Sequence, residues 1–191
     1  MPLQLPEIFD PLSTLFDAMD RAWDDIAAHY GFQCTGCQDN CCHSLFFHHT
    51  HVEKAYLSFG FNLLDEPERQ KILVRAQAYC DTTFAALNPV SLKVPCPLLM
   101  NGRCGIYTFR PMICRMHGLP HEIHRPGHPP LKGPGCAAGD FDNHPYAPFD
   151  RTPFYRDMAA VEMKFRQEQG KTGKIKETVA QILLDSSTSA V

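Results

Sequence analysis

The stretch CTGCQDNCC, Cys34 to Cys42, puts four thiols into nine residues: Cys34, Cys37, Cys41 and Cys42. A second run of Cys96, Cys104, Cys114 and the more distant Cys136 can supply four more, and 53 residues separate Cys42 from Cys96. Thiolates are soft ligands that select zinc, Cu(I) or iron-sulfur clusters over magnesium and calcium. The C-x2-C of Cys34 and Cys37 is the short bite in which a tight turn, helped here by Gly36, aims two sulfurs at one metal about 2.3 Å away. Cys41 and Cys42 are adjacent and point in different directions, which suits two irons of a cluster, or two centres, better than one small ion. The second run lacks a matching short turn, so the pattern departs from a zinc ribbon. Cys96-Pro97 is shared with the Cys-Pro of bacterial ferredoxin motifs.

The ninth cysteine, Cys80, stands alone on the apolar face of a predicted helix and reads as a core residue. Ten histidines include His48, His49 and His51, then His117, His121, His124 and His128. They read as surface residues, and His43 and His117, each close after a ligand cysteine, are the reserve ligands. No Ser-His-Asp or Cys-His nucleophile pair stands out among so many candidates.

Helices must carry these residues. Leu12, Leu15, Phe16, Met19, Trp23, Ile26, Ala27 and Tyr30 recur at helical spacing and predict a helix over 11–30, capped by Asp10 and ended by Gly31. Thr50 and Glu53 have capping-box spacing for a second helix that stops at Gly60. Ile72, Ala76, Tyr79, Cys80, Thr83 and Leu87 mark a third, from Pro67 to Leu87. A fourth begins at Pro153 and stops at Gly170, and Ile175, Val179, Ile182 and Leu183 mark the last, with 185–191 as a tail. Between Leu92 and Asp150 neither period is sustained, and eight of the sixteen prolines fall from Pro120 to Pro153. A loop of that length predicts a stretch held by something other than regular hydrogen bonding. The fold expected is mainly α: a single domain, 1–191, of about five helices, with long irregular loops organised around a cysteine-ligated metal centre. Its metal-binding region is 32–136, flanked by the helix over 11–30 and helices over 153–185.

A net charge of −3 offers no basic field for phosphates, which excludes nucleic acid as an expected partner. No run of 18 apolar residues and no cationic leader occurs, so neither membrane nor export is predicted and a cytoplasmic protein is. In that reducing compartment clustered cysteines are metal ligands more often than disulfides.

CTGCQDNCC followed by CPLLMNGRCGIYTFRPMICRMHG resembles the cysteine-cluster family of zinc- or iron-chelating domains. The second string carries C-P-x-L, G-x-C-x-I-Y, R-P and C-R elements in order, and the resemblance covers 32–136. It departs from the usual C-x2-C-x2-C-C at one point, because three residues, Gln38 to Asn40, precede Cys41. The resemblance implies a metal ion or cluster as partner. Some relatives are ferredoxin-like, and flagellin lysine N-methylases carry a related cysteine-rich region with an iron-sulfur cluster. Tyr107, Arg110, Pro111 and Arg115 recur in the family string. Tyr107 can cover the centre, Pro111 can fix the turn before Cys114, and the guanidinium groups of Arg110 and Arg115 can donate to thiolate sulfur. We therefore expect a metal-binding protein with an iron-sulfur cluster for electron transfer, sensing or structure. A zinc-binding structural or storage module is the alternative. A methyltransferase-like enzyme acting on a protein side chain is the second alternative, although no Gly-rich nucleotide loop follows a strand.

Overall fold

The computed structural model describes residues 5–34 and 41–188, so Cys37 lies outside the described residues. Six α-helices are described: α1 Asp10–His29, α2 His51–Asn62, α3 Glu66–Ala85, α4 Met112–Arg115, α5 Thr152–Glu168 and α6 Val179–Thr188. Five strands accompany them: β1 Leu99–Met100, β2 Arg103–Cys104, β3 His121–Arg125, β4 His128–Gly133 and β5 Phe149–Asp150. The fold is mainly α, as expected. Among the described residues no helix is long and apolar enough to cross a membrane.

The chain divides into two compact units, each made of two segments: Met1–Cys37 with Arg115–Thr172, and Gln38–Cys114 with Gly173–Val191. In the first unit, α1 packs on α5 and β5. Its apolar stripe is set by spacing, with Leu12, Phe16 and Met19 almost wholly removed from solvent. Asp10 opens α1 rather than capping it. A 3-10 turn, Glu7–Phe9, already brings the chain in with helical geometry, because Phe9 is buried at its end. Tyr30 closes the helix; its hydroxyl donates to the carbonyl of Ala147 at 3.1 Å and accepts from the Ala147 amide at 2.7 Å.

Regular hydrogen bonding returns within the stretch that sustains neither period. β3 pairs antiparallel with β4, His121 opposite Gly133, and parallel with β5, His121 opposite Phe149. These strands are too short for alternation to stand out, and Pro129 and Pro130 lie on the edge strand opposite the register irregularity between Ile123 and Arg125, where the ladder is already interrupted.

In the second unit α6 packs against both α2 and α3. Ile72, Ala76, Tyr79 and Thr83 form the buried face of α3, and Val52, Tyr56, Leu57 and Phe61 that of α2. Thr50 caps α2 as its spacing predicts, accepting from the Glu53 amide. The helix passes Gly60 and ends at Asn62. Gly60 serves packing instead: a Cβ there would stand 2.2 Å from Cγ of Phe109. α3 is capped by Asp65, ahead of Pro67, and α6 runs to Thr188, beyond the expected start of the tail. An antiparallel bridge joins His48 to Glu177, with the His48 amide donating to the Glu177 carbonyl at 2.7 Å.

Candidate metal centre

The second unit gathers five thiols from both runs, each on a short irregular element. Cys41 and Cys42 open a 3-10 turn, Cys41–His43, in which Cys42 is buried. Cys96 follows the 3-10 turn Pro89–Leu92. Its amide donates to the carbonyl of Cys42 at 2.7 Å, which ties the first run directly to the second. Cys104 ends a hairpin: Leu99 pairs with Cys104, Met100 with Arg103, and the two loop residues, Asn101 and Gly102, both have positive φ, 50° and 79°. That conformation is the one an Asn-Gly loop favours, and it sets the register that presents Cys104. Cys114 lies in the α4 turn, its amide donating to the Pro111 carbonyl at 3.0 Å.

Thiol chemistry links the five. The Cys41 thiol hydrogen-bonds to those of Cys42 and Cys114. These bonds, then burial, then the nearby sulfurs of Cys96 and Cys104 push the Cys42 and Cys114 thiols far above their ordinary range. Burial, partly offset by a hydrogen bond from Leu98, pushes Cys96 up to about 12. Removing a proton here would leave an uncompensated thiolate among neighbouring sulfurs in a low-dielectric place. A soft cation reverses that balance, since it favours the deprotonated form of every thiol it touches.

The five stand in hydrogen-bonding and electrostatic range rather than in a closed shell. Among the described residues no three Cys, His, Asp or Glu side chains form a group set to hold a metal ion. The donor set is all sulfur, which fits zinc or iron. Cys41, Cys42, Cys96, Cys104 and Cys114 are the residues that would hold it.

The structure places the remaining predicted residues as follows. Cys34 is exposed and Cys136 half-buried, both in the first unit, and the Cys136 amide donates to the Gly118 carbonyl at 2.9 Å. Cys80, read as a core residue, is half-buried beside the buried face of α3. Tyr107 is an exposed ring with the guanidinium carbons of Arg110 and Arg103 at 3.7 and 4.0 Å from its centre. Arg115, in the first unit, is buried over the Phe16 ring at 4.1 Å and pairs with Asp20 at 2.5 Å.

The histidines also spread out. His121 and His124 lie on β3 and His128 on β4. His48 departs furthest from the surface reading: it is 3% exposed, its Nε2 has no hydrogen-bond partner, and burial together with neighbouring His49 lowers it to about 4.

Glu53 is the residue whose wider role the sequence conceals. It signals only a helix cap, yet its carboxylate accepts from the Met112 amide at 2.7 Å, two residues before Cys114.

Residues 33–126 match the model of a family described as "Putative zinc- or iron-chelating domain". No curated protein and no solved structure matches the chain. The five gathered thiols all lie within the matched span, which makes residues 33–126 similar to that family of zinc- or iron-chelating domains.

Proposed function

We propose that the chain binds its metal through Cys41, Cys42, Cys96, Cys104 and Cys114 as an iron-sulfur cluster. The observation that carries this reading is the junction of the two cysteine runs, seen in the Cys96 amide on the Cys42 carbonyl and in the Cys41 thiol bonded to thiols on either side. Five thiols exceed the four ligands of a tetrahedral zinc ion, and adjacent Cys41 and Cys42 suit a body with several metal atoms better than a single one. The centre binds together four irregular stretches of the second unit, so one of its tasks is structural, in a compartment reducing enough to keep the thiols free.

Protein purified without oxygen is expected to be brown, to contain iron and inorganic sulfide, and to lose its colour on Cys104→Ser. Colourless protein with stoichiometric zinc and no sulfide would replace the cluster by a zinc site on the same ligands.

A further inference from the structure

α2 turns a carboxylate toward the loop that carries Cys114. Glu53 is 5% exposed, and both its oxygens are engaged: Oε2 accepts from the Thr50 hydroxyl at 2.5 Å and Oε1 from the Met112 amide at 2.7 Å. A capping-box glutamate ordinarily serves the start of its own helix. Here its second oxygen reaches a backbone 59 residues away in sequence. Met112 opens the α4 turn, where an N–H has no partner within the turn, and a carboxylate acceptor makes the stronger, charge-assisted kind of hydrogen bond.

Two more positions of α2 address the same segment. Tyr56 meets the Phe109 ring at 5.0 Å between centroids, and Gly60 lets that ring lie against the helix backbone. Residues 53, 56 and 60 are spaced so that they share one face of a helix. That face therefore holds Phe109 by shape and Met112 by charge. Cys114 follows two residues later, with its thiol on that of Cys41.

We propose that Glu53 is a positioning residue for the thiol centre: through the Met112 amide it fixes the start of the α4 turn and so the place of Cys114 among the gathered thiols. The proposal rests on the metal-binding reading above. It predicts that a side chain with no direct contact to the metal governs how well the metal is held, as groups that orient ligands do.

The test measures Zn2+ affinity by chelator competition, and Co2+ absorption as a report of ligand geometry, on the full chain. Glu53→Ala is expected to weaken Zn2+ binding by about tenfold to a hundredfold and to shift the thiolate-to-Co2+ band. Glu53→Gln should stay within about threefold of wild type, because its amide oxygen can still accept from Met112. Val52→Ala, a wholly buried neighbour on α2, controls for general loss of stability and should leave affinity unchanged. If Glu53→Ala does not fold, Glu53→Asp, which keeps the charge but shortens the reach, is expected to weaken binding in its place.

Wild-type affinity in whichever of the Ala and Asp variants is folded, or an equal loss in Val52→Ala, would overturn the positioning role and leave the metal reading intact. A wild-type chain that takes up neither Zn2+ nor Co2+, and that holds neither iron nor zinc when purified without oxygen, would overturn the metal reading and this proposal with it.

Discussion

Two irregular stretches, one in each unit, solve the same problem differently. Residues 116–150 of the first unit hold themselves by ordinary means. β3 is hydrogen-bonded on both sides, and Glu122 gathers Lys132 at 2.9 Å, the Tyr146 hydroxyl at 3.1 Å and His124 at 3.2 Å. The buried Arg151 guanidinium donates to the Met116 carbonyl. Residues 86–114 of the second unit have two strands of two residues each and short 3-10 turns. They bury Leu98, Ile106, Phe109 and Met112 and bring the half-buried Cys96, Cys104 and Cys114 near Cys41 and Cys42. The first stretch is thus held by strands that close on each other, and the second, with little pairing, carries Cys96, Cys104 and Cys114.

Metal removal should act on the two stretches unequally. Forming a structural metal site of this kind can be worth about 10–16 kcal/mol, on the scale of a whole domain's stability. Removing the metal should therefore abolish hydrogen-exchange protection in 86–114 while 121–150 keeps its own. Equal loss in both stretches would erase the distinction drawn here.

Acid acts next. His48 is neutral and buried, and its folded value near 4 lies below the ordinary 6.5 of the unfolded chain. The unfolded state binds the extra proton between those values, so stability of the metal-free protein should fall as pH drops from 6.5 toward 4. It should level off below, with a total loss of about 3 kcal/mol at most. Denaturant titrations across that window check it, and His48→Leu should flatten the slope.

Packing comes third. Gly60→Ala places a methyl against Phe109 and should cost about 1–3 kcal/mol, with weakened protection of the loop behind Phe109. Gly102→Ala is the smallest, about 1 kcal/mol, because alanine resists the left-handed turn. Its signature should be confined to the hairpin that presents Cys104.

The helices were legible because their periods are long and their caps local. Thr50, Gly31 and Gly170 behave as their positions predict: Thr50 caps α2, and both glycines take left-handed φ, 60° in each case. The strands were not legible, since two to six residues cannot show alternation, although Asn101-Gly102 is a strong hairpin signal that spacing alone could have flagged. The two cysteine runs predict one centre; the structure ties the runs by the Cys96 amide on the Cys42 carbonyl, and among the described residues no three side chains form a group set to hold a metal ion. Cys34 and Cys136 look equivalent to the other clustered cysteines in sequence, and that they fall in a different unit was not legible there. Glu53 and His48 were hidden for a shared reason. Their roles depend on Met112 and Glu177, partners distant in sequence, and a local pattern carries no trace of such contacts.

X-ray absorption at the edge of the metal bound by the purified protein tests the shared thiolate centre most directly, with Cys42→Ser and Cys104→Ser measured beside wild type. A shared thiolate centre requires an inner coordination sphere dominated by sulfur at about 2.3 Å that loses sulfur in both variants, one from each run. A sphere built of nitrogen and oxygen, or one that either variant leaves unchanged, would contradict it.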